Sequence, residues 1–287
     1  MAVKGAIFPL FCALVGGCFS APSPLAPGLS GSVGMPSLGV QTGAVELPSR
    51  GPGFVRYRPH GKNHWGRPRL VSALERIAAE IDAERPGGLL VIGDLAAERG
   101  GKIPRHSSHR SGRDVDLLFY ALTPAGAPLA SPGFLRYESD GLAIDPGSGD
   151  YLRLDVAREW LLVKKLVSDP ELGVQFLFIS KPLEALLMDY ARARGEPLEL
   201  QDRAQTVMLQ PRDSLPHDDH LHLRIACSPE EIQAGCSGGG PYWEWLAPLP
   251  TNQTTTQALL EEIAQDEPLE PLGAMPLAGT TPEGGGV

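Results

Sequence analysis

Five of the seven histidines in this 287-residue chain fall in two short clusters. The first runs His106-Ser107-Ser108-His109-Arg110-Ser111-Gly112-Arg113-Asp114-Val115-Asp116, and the second runs His217-Asp218-Asp219-His220-Leu221-His222-Leu223-Arg224. Side chains alternate between the faces of a strand, so His220, His222 and Arg224 share one face and Leu221, Leu223 and Ile225 the other. The same parity groups Asp114 with Asp116 and turns Val115, Leu117 and Phe119 to a core. His109, seven residues before Asp116, comes from the preceding loop. Two imidazoles and a carboxylate make a three-ligand set that leaves a fourth position on zinc for water, the pattern of a catalytic rather than a structural site. Histidines beyond the ligands are then free for acid and base work. His60 and His64 stand in the basic stretch His60-Gly61-Lys62-Asn63-His64-Trp65-Gly66. They lack ligand spacing and are read as structural or groove-lining residues.

The string Ser108-His109-x-x-Gly112-x-Asp114-x-Asp116 with a later His220-x-His222 resembles the LAS metallopeptidases, the group named for lysostaphin, D-Ala-D-Ala peptidases and hedgehog. With Trp65-Gly66, Gly93-Asp94, His106-x-x-His109 and His217-x-x-His220-x-His222 added, the chain is similar to the penicillin-insensitive murein endopeptidases over residues 53 to 236. The resemblance implies one catalytic zinc ion held by His109, Asp116 and His222, with His220 as the catalytic histidine. It places His217, a second catalytic candidate, and His106 beside the metal in supporting roles. Asp140, in Ser139-Asp140-Gly141, matches an aspartate that helps bind a second ion between subunits. The histidine that should follow three residues later is Ala143 here, which removes a donor from that interface ion and weakens the case for a family-like dimer. Asp114, Asp218 and Asp219 are candidates for fixing imidazole tautomers from behind.

The implied activity is hydrolysis of the D-alanyl peptide crosslinks of bacterial peptidoglycan, insensitive to β-lactams because no serine or cysteine nucleophile takes part. A zinc DD-carboxypeptidase or dipeptidase shares the same centre and stands as the alternative enzyme. A non-catalytic, zinc-stabilised wall-binding module is the alternative outside enzymes, and the spare imidazoles of His217 and His220 argue against it. Gly235-Cys236-Ser237-Gly238-Gly239 fits the GxSxG pattern, but no apolar strand leads into it and no helix can follow it. Neither HExxH nor SxxK occurs.

The elements that must position these residues have readable periodicity. Leu70, Leu74, Ile77 and Ile81 after Pro68 predict a helix, and the run Leu89 to Ile92, closed by Gly93-Asp94, predicts a strand. Further strands are predicted at Asp114 to Tyr120, Val174 to Ile179 and His220 to Ala226. Helices are predicted from Val156 to Val167, with Asp155 as N-cap, and from Pro182 to Arg194, ended by Gly195. The interleaving carries no phosphate loop and no repeat. The expected fold class is α+β, one sheet with helices packed against it, which the resemblance narrows to a hedgehog-like zinc peptidase fold. Residues 121 to 150, rich in Pro, Gly and Ala, are expected to loop over the site.

A net charge of −9 excludes bulk attraction to nucleic acid. Gly (34) and Pro (28) exceed a fifth of the chain and concentrate at its ends, so the folded part is shorter than the chain. Residues 1–17 read as an export signal, and Val15-Gly16-Gly17-Cys18 looks like a lipobox, with Cys18 as the acylated residue. Residues 18–50 are expected to be a flexible linker, 51–246 the metallopeptidase domain, and 247–287 a disordered acidic tail. Export implies a periplasmic location, with lipidation an outer-membrane anchor, and peptidoglycan as the partner. In that compartment Cys227 and Cys236 are expected to form a disulfide.

Overall fold

The computed structural model describes residues 31–249 except 213 and 239. Of the two units into which the chain divides, Met1–Pro248 and Leu249–Val287, the first holds every element below. It is a mixed α and β structure built around a seven-stranded sheet. Its strand order is Met208–Leu209, Val174–Phe178, His220–Ile225, Asp114–Leu118, Leu90–Ile92, Phe54–Arg56 and Arg50–Gly51. The three central strands run antiparallel, and Phe178 and Asp116 both pair with His222, while Phe176 and Asp114 pair with Arg224.

The helices follow from their sequence signals. Helix α1 (Pro68–Glu84) starts with proline in its first turn, where no backbone donor is lost, and buries Leu70, Leu74, Ile77 and Ile81 along one stripe. Helix α2 (Val156–Ser168) is capped by Asp155, whose carboxylate accepts from Arg158 N at 3.1 Å. Helix α3 (Lys181–Ala193) gives way to Gly195 at φ 67°, a left-handed position suited to glycine. Helix α4 (Leu198–Val207) and the short α5 (Pro229–Gln233), with a Ser228–Glu231 capping box, complete the set. Val115, Leu117, Leu221, Leu223 and Ile225 on the core face of the sheet are fully buried with the helix stripes. Burial of each leucine side chain stabilises by about 1.5–3 kcal/mol. The opposite face is left to carry polar groups.

Three expectations are corrected. The single sheet is joined by three smaller ones among the described residues. Residues 121–150 are not a plain loop: Ala121–Leu122, Pro128–Leu129, Leu142–Ile144 and Tyr151–Leu154 form a four-stranded antiparallel sheet. Strands of two to four residues are too short to show alternation. The expected linker ends early, because Gly31–Met35 and Leu38–Thr42 form an antiparallel hairpin, and Val45–Glu46 pairs with Trp65–Gly66. The hairpin's inward residues include Ser32 and Gln41, both buried. It is held by hydrogen bonds rather than by an apolar face, which is why its composition reads as a tether. Residues 1–30, with the signal and Cys18, and residues 250–287, with most of the tail, lie outside the described residues.

The hairpin makes two sets of polar contacts. Gln41 N donates to Arg99 O at 3.1 Å, Gly101 N to Gly39 O at 3.1 Å and Arg110 N to Pro36 O at 3.1 Å, all into the segment that carries the first histidine cluster. On its other side Ser32 N and the Arg67 guanidinium both donate to the buried carboxylate of Glu231, Arg67 Nε at 2.6 Å. Glu231 lies inside the loop closed by the Cys227–Cys236 disulfide.

Candidate metal centre

The sheet's polar face brings both histidine clusters together. Asp116 and His222 are direct cross-strand partners, and His109 enters from the loop before Asp114 with φ 61°, a left-handed conformation uncommon outside glycine. Gly112, at φ 75°, passes so close to Gln41 that a Cβ would overlap the Gln41 amide oxygen. The loop can therefore take its path only with glycine at that point.

Each imidazole is fixed from behind. His109 Nδ1 donates to Leu95 O at 2.6 Å, His222 Nε2 donates to Asp114 Oδ1 at 2.9 Å, and His220 Nδ1 donates to Asp219 Oδ1 at 2.5 Å. The opposite nitrogens converge on one carboxylate oxygen. His109 Nε2 stands 3.2 Å from Asp116 Oδ1, His222 Nδ1 3.2 Å and His220 Nε2 3.3 Å. Both His109 Nε2 and Asp116 Oδ1 are buried without a hydrogen-bond partner. With the outer nitrogens donating outward, the inner ones meet Asp116 lone pair to lone pair unless a proton or a metal ion stands among them. A tetrahedral zinc ion with bonds of about 2.0–2.1 Å sets its ligands about 3.3–3.4 Å apart. The chemistry of the donors suits such an ion, and His109 Nε2 and His222 Nδ1 stand at about that spacing from Asp116 Oδ1. His106, His109 and Asp116, and separately His217, His220 and His222, form groupings able to hold a metal.

Electrostatics reinforce the set. Burial opposes the charge on Asp116, but His109 and His220 outweigh it and hold its carboxyl well below the usual range. Asp114 is likewise held far down despite burial, by Arg224 and by the hydrogen bond from His222, and Arg224 Nε reaches Asp114 Oδ1 at 2.6 Å. For His220, burial is overcome by Asp116 and Asp219, which with no metal ion beside Asp116 push it up to about 10, so that its inner nitrogen then carries a proton. A metal ion held by Asp116 would take up that carboxylate charge and leave the nitrogen free to accept one. His217 goes the other way, down to about 4, from burial and from the neighbouring His222 and His220. Its ring lies 5.1 Å from that of His220 and 5.7 Å from Phe178.

The remaining sequence candidates separate. His106 packs 4.2 Å from the His109 ring and pairs through Nε2 with Asp94 Oδ2 at 3.0 Å. Asp140 sits on an exposed turn, where it accepts from Leu142 N at 3.0 Å, and joins neither metal-capable grouping. His64 is buried and donates to Arg58 O at 2.6 Å, while His60 is exposed. Cys227 and Cys236 are bonded. Ser237 follows that disulfide rather than a strand-to-helix elbow. Sequence reasoning assigned no role to Asp94, Phe178 or Phe134. The Phe134 ring meets His220 edge-on at 5.3 Å. Asp94 carried a signal in the Gly93-Asp94 step that closes its strand; the aromatics carried none.

A family model described as penicillin-insensitive murein endopeptidase matches residues 32–131. A penicillin-insensitive murein endopeptidase of Klebsiella pneumoniae is 34% identical over 258 residues, covering 82% of this chain and 88% of the relative. The chain belongs to this family. A second member, from Salmonella paratyphi C, is 26% identical over the same shares of both chains. One from Yersinia enterocolitica is 32% identical over 68% of this chain and 66% of its own. The span matched by the family model holds the first histidine cluster, His106 to Asp116.

Proposed function

We propose that the chain is a zinc-dependent murein endopeptidase that hydrolyses D-alanyl peptide crosslinks of peptidoglycan without a serine nucleophile. The observation that carries this reading is the convergence of three imidazole nitrogens on Asp116 Oδ1 at 3.2–3.3 Å, supported by the activity that the relatives' names give them. His109, Asp116 and His222 would hold the ion. Zinc bound there supplies Lewis acidity, which polarises a scissile carbonyl and makes water a nucleophile near neutral pH.

The resemblance makes His220 the free imidazole, and exposure supports that choice. Its side chain is 17% exposed against 7% for His222 and none for His109. His220 Nε2 takes the proton of the attacking water and returns it to the leaving amine, while Asp219 keeps Nδ1–H turned away and holds the ring in place. Asp114 holds His222, and Leu95 O holds His109, so that their inner nitrogens stay inward. His217, neutral and half-buried beside both, presents a polar edge toward the reacting carbonyl. His106, braced by Asp94, packs against His109 and limits its movement.

The reading places the enzyme in the periplasm, after removal of residues 1–17 and with Cys18 as the lipid anchor. The Cys227–Cys236 disulfide accords with an oxidising compartment. Among the described residues no helix is long and apolar enough to cross a membrane.

The test is mass spectrometry of crosslinked muropeptide dimers incubated with the purified chain, with chelator, and with zinc restored. Zinc-dependent conversion of dimers to monomers with intact stems is expected. Loss of a terminal D-alanine alone would make it a carboxypeptidase. Absence of cleavage by the folded, zinc-loaded protein would leave a binding module.

A further inference from the structure

One side of the centre is a continuous wall of side chains with no part in the chemistry above. Phe134, 36% exposed, stands edge-on to His220 at 5.3 Å and edge-on to Tyr57 at 5.3 Å. The Arg58 guanidinium lies 5.5 Å from the Tyr57 ring centroid. Together with Gly93 and Asp94 these residues line a notch that opens beside Asp116. The floor is tight: a Cβ on Gly93 would come within 3.0 Å of Asp116 Cβ and 3.2 Å of Phe134.

Arg58 is the unspent charge of that wall. Its side chain is 49% exposed, and its carboxylate neighbour, Asp94, is 4.0 Å away and already paired with His106 at 3.0 Å. A guanidinium has five donors arranged to grip a carboxylate two at a time, and those of Arg58 make no side-chain hydrogen bond among the described residues. The surroundings have the same sign. Residues 57–63 and 98–106 expose Arg58, Lys62, Arg99, Lys102 and Arg105 against one exposed acid, Glu98, in a chain whose net charge is −9. Both segments meet at Asp94, where Asn63 O also receives Leu95 N at 2.7 Å.

We propose that Arg58 is a specificity-determining residue that binds a carboxylate of the substrate peptide, with Phe134 and Tyr57 as the apolar wall along which that peptide lies. The inference rests on the endopeptidase reading and adds to it the chemistry of the peptide that fits. The steps from Arg58 to His220 measure 5.5, 5.3 and 5.3 Å. Laid straight they reach about 16 Å, which extended peptide covers in about five residues. The recognised carboxylate therefore lies within about five residues of the cleaved bond. The cationic segments around it raise the local concentration of acidic peptide before the specific contact forms.

The experiment compares the full chain with Arg58→Gln and Arg58→Lys on crosslinked muropeptide dimers. The dimers carry all their carboxylates free, or are amidated either at the terminal carboxylate or at the side-chain carboxylates. KM is read for cleavage. Dissociation constants are read by calorimetry in a His220→Ala background, where the substrate survives. Arg58→Gln is expected to weaken the acidic dimer about tenfold, with kcat little changed, and to leave unchanged the dimer amidated at the recognised position. Arg58→Lys should recover part of the loss, and the amidation that mimics Arg58→Gln identifies which carboxylate is held. Equal affinity of Arg58→Gln and the parent for acidic and amidated dimers alike overturns the assignment while leaving the endopeptidase in place. Absence of cleavage of every dimer by the parent chain overturns the endopeptidase reading, and this inference with it.

Discussion

Glu159 is a fully buried acid in the first turn of α2, away from the candidate centre. One carboxylate oxygen accepts from Tyr120 N at 3.1 Å and the other has no partner. Burial pushes its carboxyl up to about 8, against 4.5 for an ordinary glutamate. Between those two pH values the folded chain holds a proton that the unfolded chain has released, so stability falls as pH rises. Each pH unit costs about 1.4 kcal/mol, so the loss between pH 4.5 and pH 8 is about 4–5 kcal/mol, with no further change from this group above pH 8. Glu159→Gln keeps an oxygen for Tyr120 N and cannot ionise. Its new N–H adds an offset that does not vary with pH. Urea unfolding of both proteins at four pH values from 4.5 to 8 should show the variant gaining on the parent by several kcal/mol toward the alkaline end. Most of that gain should appear above pH 5. A difference that stays constant across the series would mean that Glu159 is ionised inside the fold throughout, and the burial argument would fall.

Other expectations concern the centre and its supports. His109→Ala should lose metal and activity together, whereas His220→Ala should keep a stoichiometric zinc ion by atomic absorption and lose muropeptide cleavage by 10²-fold or more. Asp114→Asn, which strips the charge from the acceptor shared by His222 Nε2 and Arg224 Nε, should weaken zinc about 10–100-fold in chelator competition with the far-ultraviolet spectrum unchanged. Cys227→Ser with Cys236→Ser opens a loop of nine-residue separation and should lower unfolding stability by about 2.5–3 kcal/mol. An unchanged urea midpoint would refute that last figure.

Long elements were legible because each buries one face. The stripe Leu70, Leu74, Ile77 and Ile81 and the alternation through His220–Ile225 repeat often enough to be read, and both lie where expected. The pairing of His222 with Asp116 follows from that alternation once the strands are neighbours. The four-stranded sheet of residues 121–154 was hidden because none of its strands exceeds four residues. Glu159 escaped notice because an acid in a first helical turn is usually solvated and favoured by the helix dipole, and only tertiary packing reveals that this one is covered. Asp94, Phe134 and Arg58 come from irregular segments, whose positions relative to His220 depend on the whole sheet order and on no local repeat.

The hairpin Gly31–Thr42 looks peripheral, yet its backbone partners are Arg99, Gly101 and Arg110, which flank the loop carrying His106 and His109. Gln41 adds side-chain bonds to Trp65 O and Ala97 O and fills the space against which Gly112 turns. Shortening the chain from its N-terminus past Thr42 would leave the apolar core between sheet and helices intact. The losses would fall on the loop that aims His109. The smallest unit that folds and the smallest unit that binds metal are for this reason different lengths of chain, and a fragment begun at Val45, which keeps the buried Leu47, would be expected to pass a test of folding and fail one of zinc affinity.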